Sequence, residues 1–320
     1  MPTQDRDDRA GFFAPDSVTW RVLTAPATAL MIAQTTNLLE IPHVDFQSAL
    51  IDHDPLFPTN RKRQRGSRAR GARKTGHFHD RLRRTLSVPL PIIFGDRHSA
   101  VACAERLMNY HRPMSGPGAD GTAPYSATSP EAMLFGTVTI AHAALIAYER
   151  FVFHGWRAPR RLPTVERDQY FSEMAQLAVL MGVPAERIPV TAEQVDDYYR
   201  SIGAKFGINR NFHVVQAKTS ARLIIPDGWA DVPETIGDIV LMLSAVLGYT
   251  VLPRPSRRLH GLPAGLDWLL TGIYLTGLPV FAALSLPGVG QAALKWYLGA
   301  PDANTLATAR RQQLAASTAA

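Results

Sequence analysis

With a single cysteine, Cys103, in 320 residues, the chain cannot build an intramolecular disulfide framework or a zinc or iron–sulfur centre from several thiolates. The residue reads as a small core side chain. Strand-like alternation is scarce, no repeat or heptad period runs along the chain, and glycine and proline are scattered. A solenoid, a coiled coil and a tethered module are therefore set aside. The opening residues Asp5, Arg6, Asp7, Asp8 and Arg9 are charged with no apolar stretch directly after them. The expectation is a cytoplasmic protein without a signal peptide. There is no phosphate-binding glycine loop, dinucleotide fingerprint or serine nucleophile elbow. Cys103, placed inside a helical pattern, has no glycine-rich loop of the kind a haem thiolate needs.

Acidic residues are missing between Asp54 and Asp80, where Arg61, Lys62, Arg63, Arg65, Arg68, Arg70, Arg73 and Lys74 crowd together. Without these eight the net charge of +7 turns slightly negative, so basicity belongs to this stretch and not to the whole protein. Gly66, Ser67 and Gly71 and the absence of aromatics describe a solvated loop at 61–74. Such a loop suits an anionic membrane surface. It lacks the stacking rings of a single-stranded nucleic-acid groove, so nucleic acid is not an expected partner.

An apolar content of 46% is ample for a core, and the apolar spacing is helical. Helices are expected over Trp20–Leu39, Ser99–His111, Pro130–Phe153, Asp168–Met181, Ala192–Ile202 and Ile236–Val251. Ser129 before Pro130 starts one, Gly182 and Pro184 stop another, and Thr191 with Gln194 forms a capping box. No charge occurs from Trp268 to Leu294. The stretch Trp268–Leu286 has the length of a membrane span, yet Pro279, Pro287 and several glycines favour a broken hydrophobic hairpin on a core or in an interface.

Chemistry-bearing residues gather between Arg81 and Thr139. On a helix from Ser99, Ala100, Ala104, Leu107 and His111 share an apolar face, and Pro113, Gly116 and Pro117 end it. A carbonyl of the last turn can hold one ring nitrogen of His111 and leave the other for a ligand; a hydrogen-bonded core histidine has the same pattern. Arg81 and Arg84 share a helical face suited to an anion. Thr139 and His142 lie on a very apolar helix that can wall a dry pocket, with His142 as the second candidate ligand and His154 a weaker one. The group His77-Phe78-His79-Asp80 offers metal ligands, but in a basic setting that opposes a divalent ion.

The order Arg81-x-x-Arg84-Thr85, Phe94-Gly95, His111 followed by Gly116, Pro124-Tyr125-Ser126-Ala127, Ser129-Pro130-Glu131 and Thr139 resembles the rubber oxygenase family. That family also holds a fungal endoplasmic-reticulum oxygenase of mycophenolic acid synthesis. The likeness continues through Tyr170, Leu180-Met181-Gly182-Val183-Pro184 and Pro189-Val190-Thr191, over roughly residues 20 to 290. It implies an all-α fold, a single globin-like helical domain with a hydrophobic C-terminal segment. The expected division is a flexible tail at 1–19, a catalytic domain at 20–295 and a polar tail at 296–320.

The resemblance further implies haem b, with its iron on His111 and with Arg81, Thr139 and Tyr125 at the cofactor. Arg81, Arg84 and Thr85 would form the polar distal side, Arg84 near dioxygen. The implied substrate is hydrophobic, isoprenoid or lipid-like. Two departures narrow this. Rubber-cleaving members carry lysine at the place of Arg84, so rubber itself is not implied. Many relatives have a His-Pro pair soon after the position of Gln34, where this chain reads Thr35-Thr36-Asn37-Leu38. The rival reading is a non-catalytic, membrane-peripheral protein that meets anionic lipid through the basic loop and Trp268–Leu286.

Overall fold

The computed structural model describes residues 10–54, 78–118, 123–207 and 232–319 except 287, with scattered positions between 212 and 229. The basic stretch 61–74 and His77 lie outside the described residues. The fold is all-α. Its helices are α1 (Val18–Leu23), α2 (Pro26–Glu40), α3 (Val44–His53), α4 (Phe78–Ser87), α5 (Pro89–Phe94), α6 (Arg97–His111) and α7 (Pro130–Phe151). They continue with α8 (Thr164–Leu180), α9 (Ala192–Ser201), α10 (Val232–Val251), α11 (Arg254–Leu259), α12 (Asp267–Leu284), α13 (Val289–Leu298) and α14 (Ala300–Ala319). The one sheet among the described residues pairs β1 (Ser115–Gly116) antiparallel with β2 (Tyr125–Ser126).

The centre is the pair α2 and α7, which pack along each other more extensively than any other two elements. Small side chains allow this: Ala27 and Thr28 on α2 are buried beside a helix whose Ala143, Ala144 and Ala147 are fully enclosed. Removing bulk at a crossing lets two helix axes approach closely and buries both backbones. α1, α8 and α10 pack around this pair, and α13 with α14 close a smaller cluster holding Ala33, Leu82, Leu241, Leu298 and Leu306.

Local signals explain the boundaries. Ser129 accepts a hydrogen bond from the Ala132 amide at 3.2 Å, with Pro130 at the first helical position. Thr191 accepts from the Gln194 amide at 3.2 Å, while the Gln194 side chain reaches one residue further back than the capping box requires, to the Val190 amide. Gly182 stops α8 with a φ of 79°, a left-handed conformation that favours glycine.

Three expectations need correction. The single helix over Trp20–Leu39 is two, because Pro26 is a first-turn residue and starts a new helix after Thr24. The described parts of the expected tails are packed: Phe13 is buried, Ser17 caps α1, and in the region 296–320 α14 buries Ala303, Leu306, Ala309 and Gln313 along one face. Polar residues between those positions hide the stripe in a composition count. Finally, Pro279 does not break the hydrophobic segment; α12 runs through it from Asp267 to Leu284.

Candidate active site

His111 sits half-buried in the last turn of α6. That helix starts at Asp96, whose carboxylate accepts from the Ser99 amide at 2.7 Å, and it turns Ala100, Cys103 and Ala104 inward. The ring Nδ1 lies 2.9 Å from the Leu107 carbonyl, one turn back. A carbonyl can only accept, so Nδ1 carries the proton and Nε2 keeps its lone pair. Burial pulls the His111 pKa down, with the Leu107 hydrogen bond acting weakly the other way. The ring is thus held as a neutral imidazole with a defined free nitrogen, the form that binds a metal.

Beyond His111 the chain folds back through the β1–β2 hairpin onto the end of α3, where Asp52, His53 and Asp54 act as a clamp. Tyr125 Oη donates to Asp52 Oδ2 at 2.8 Å, and burial together with this carboxylate pushes the Tyr125 pKa up. Gly116 passes so close that a Cβ there would stand 2.9 Å from both Asp52 Oδ2 and Tyr125 Oη. His53 Nε2 faces the Ser115 carbonyl at 3.3 Å. Asp54, buried, pairs through Oδ2 with Arg81 Nε at 2.8 Å. Three successive residues therefore tie the segment after His111 to the helix that carries Arg81.

On α4 the arginines share a helix as the spacing requires. Arg81 is engaged by Asp54, while Thr85 is exposed and its hydroxyl donates back to the Arg81 carbonyl at 2.9 Å. The Arg84 side chain lies outside the described residues. His79, from the candidate metal group, is a buried packing residue. Its ring stacks on Trp296 and its Nε2 lies 3.2 Å from the Tyr297 carbonyl. Among the described residues no group of three or more His, Cys, Asp or Glu is arranged to hold a metal ion.

Thr139 is fully buried and accepts from Tyr199 Oη at 3.2 Å. One turn on, His142 sets its ring 5.5 Å from that of Tyr199, and its enclosed Nδ1 has no hydrogen-bond partner among the described residues. Burial, then the positive Arg167, lowers its pKa to about 4. His43 packs over Phe135 with ring centroids 4.3 Å apart and is lowered by burial to about 4 as well. Glu40 is the converse case: burial pushes its carboxyl up to about 8, against the pull of Arg81. Glu40 also lies near enough to Tyr199 to raise the phenol's pKa. Arg81, Glu40, Tyr199, Thr139 and His142 thus share one buried polar region in which the acid and the histidines are held neutral near pH 7.

A separate apolar cleft of about 590 Å³, its open mouth included, runs between α2, α5, α7 and α8, with Ile32, Leu90, Phe94, Ile140 and Leu177 among its walls. Leu86 and Ile140, the residues after Thr85 and Thr139, are also among its walls. His111, Arg81 and Thr139 do not line it. The structure does not bring His111, Arg81 and Thr139 into mutual contact; the α3 clamp connects Arg81 to the hairpin that follows His111. Sequence reasoning missed Asp52, Asp54, Glu40, His43 and Tyr199. The only available sign was the Asp52-His53-Asp54 cluster just before the basic run.

Comparison with known proteins bears on what this arrangement does. No curated protein and no solved structure matches the chain. Residues 17–283, most of the chain, match one family, described as ER-bound oxygenase mpaB/B′/rubber oxygenase, catalytic domain. The match runs from α1 through α12 and so includes His111, the α3 clamp, the buried polar region and the cleft apart from its Leu298 and Leu306 walls. The chain belongs to this family of oxygenase catalytic domains and is an enzyme that takes dioxygen and a small-molecule substrate.

Proposed function

We propose that the chain is a haem b-dependent oxygenase of hydrophobic, isoprenoid or lipid-like substrates, with His111 as the residue that would hold the iron. One observation carries the reading: the hydrogen bond from His111 Nδ1 to the Leu107 carbonyl, which leaves Nε2 unprotonated and available. The donor set fits the group, because haem iron needs only one or two protein ligands and brings the rest of its coordination itself. When bound, haem supplies the one-electron and dioxygen chemistry that no side chain of this protein can perform.

The residues of the chain have separate tasks. His111 offers a neutral nitrogen whose basicity is raised by the Leu107 carbonyl. Arg81, oriented by Asp54, supplies a fixed positive charge suited to a carboxylate such as a haem propionate, and Arg84 and Thr85 follow one turn later on the same helix. Tyr125, anchored on Asp52, holds the hairpin that follows His111. Thr139 and Tyr199 give a dry hydroxyl pair, with His142 as the second candidate ligand. The apolar cleft suits a hydrocarbon chain and disfavours water.

The test is an absorption spectrum of protein purified after haem-replete expression, for the parent and His111→Ala. A Soret band in the parent that is lost or shifted in the variant is expected. Haem-free parent protein, or an identical band in His111→Ala, would overturn the assignment; loss of the band only in His142→Ala would move the ligand to α7.

A further inference from the structure

The oxygenase site does not use the outward faces of α10 and α12. On α10, Ile236, Ile239, Val240, Leu243 and Val246 recur at helical spacing and are all exposed, Leu243 by 63%. On α12, Trp268, Leu275 and Val280 stand out from a helix of which only 11% is buried. The helices pack together at Gly277, where a Cβ would collide with Leu247, and their exposed stripes flank that crossing. Aliphatic side chains in such number do not remain in water without a partner.

Two features decide what the partner is. Between their ends the stripes themselves are aliphatic: none of their named exposed residues is a tyrosine, tryptophan or arginine, the residues that concentrate at the centre of protein–protein contacts. Trp268 and the cations stand together at one end, and a second tryptophan, Trp229, is exposed just ahead of α10. Trp268 opens α12, and the preceding α11 carries Arg254, Arg257 and Arg258. Arg254 and Arg257 share the single carboxylate of Asp267, and Arg258 is exposed with no ion pair among the described residues. Aliphatic centre, tryptophan edge and cationic rim follow the layering of a lipid leaflet from acyl chains to headgroup phosphates.

We infer that this face docks on a phospholipid surface, with the α10 and α12 stripes in the acyl–headgroup boundary and the α11 arginines at anionic phosphates. α12 is about 27 Å long, enough to lie along the surface as part of the face while its other side stays packed on α10. This inference is independent of the haem assignment. Of the two segments expected at a lipid surface, it keeps Trp268–Leu286 as α12 and adds the α10 stripe and the α11 arginines; the other, 61–74, lies outside the described residues.

The full-length protein is floated with phosphatidylcholine vesicles and with vesicles containing about 30% phosphatidylglycerol. Binding to both is expected, tighter to the anionic ones. A substantial part should persist at about 0.5 M salt, where exposed charges are screened. Trp268 emission should shift to the blue on binding, read as the difference between the parent and Trp268→Phe. The double variant Leu243→Lys, Leu275→Lys should keep the parent's circular dichroism and melting temperature and lose binding by about tenfold or more. Three results would overturn the inference. One is a parent that binds neither vesicle. Another is a variant that floats like the parent. The last is a parent dimeric by light scattering whose variant is monomeric, which would give the face to a second copy of the chain.

Discussion

Helices α7 and α12 have the same credentials on paper and opposite fates. Each contains an 18-residue window of mean hydropathy 1.4, yet 72% of that window is buried in α7 and 11% in α12. Side-chain size along the helix separates them. α7 alternates Ala141, Ala143, Ala144 and Ala147 with large residues such as Leu145, Tyr148 and Phe151, so that neighbours on both sides can close over it. α12 contacts α10 closely at only one small residue, Gly277, and points Trp268, Leu275 and Val280 away. Apolar composition sets what a helix avoids. The pattern of small residues sets how closely protein can cover it.

The comparison breaks first at Phe151. This side chain is fully buried and packs on Phe281 of α12 with ring centroids 4.3 Å apart, linking the two helices beside the Tyr274 hydroxyl, which donates to the Arg150 carbonyl. Phe151→Ala is expected to cost about 3–5 kcal/mol, as large-to-small core changes do. Urea unfolding checks it. A loss below about 1 kcal/mol would mean that the core around α7 collapses freely and that its tight packing adds little.

How much of this was legible follows the range of each interaction. Ser129, Thr191 and Gly182 act within four residues, so their helix ends could be read directly. The α14 stripe of Ala303, Leu306, Ala309 and Gln313 is equally local but diluted by polar neighbours, and it was taken for a tail. At the site, the His111 to Leu107 hydrogen bond is a one-turn contact, made to a carbonyl inside the helix and not to the unpaired ones at its end. Asp52 to Tyr125 spans 73 residues, and the Asp54 to Arg81 pair brackets the undescribed stretch. No period or motif announces a pair of that separation. Burial that shifts Glu40 and His142 is a property of the assembled core and has no local signature at all.

A smaller effect sharpens the contrast through pH, because the buried titrating groups sit on and around α2, α6 and α7. α12 has Asp267 at its start and Tyr274 as its titratable side chains. His43 and His142, lowered to about 4, leave the unfolded chain to bind protons first, so stability falls as pH drops from about 6.5 toward 4. Glu40, raised to about 8, works in the other direction. The unfolded carboxyl ionises near its ordinary value of 4.5 while the folded one stays protonated, so stability declines as pH rises toward 8. With two histidines against one glutamate, these groups place the maximum near pH 6.5. Between there and pH 8 the Glu40 contribution is about 2 kcal/mol. Glu40→Gln should abolish that alkaline decline in urea midpoints measured across the range. A variant that declines as steeply as the parent would remove Glu40 as its source.

The smallest effect is the most discriminating for α12. Leu275 is as apolar as Leu145 of α7, but it is 56% exposed where Leu145 is wholly enclosed. In buffer, Leu275→Ala removes methyl groups that already face water, and its cost should stay within about 0.5 kcal/mol. Leu145→Ala, by contrast, falls in the core range of about 2–5 kcal/mol. Melting curves of the two variants, taken without lipid, measure the difference directly. If Leu275→Ala destabilises as strongly as Leu145→Ala, the outward side of α12 is covered by protein after all, and the contrast between the helices disappears.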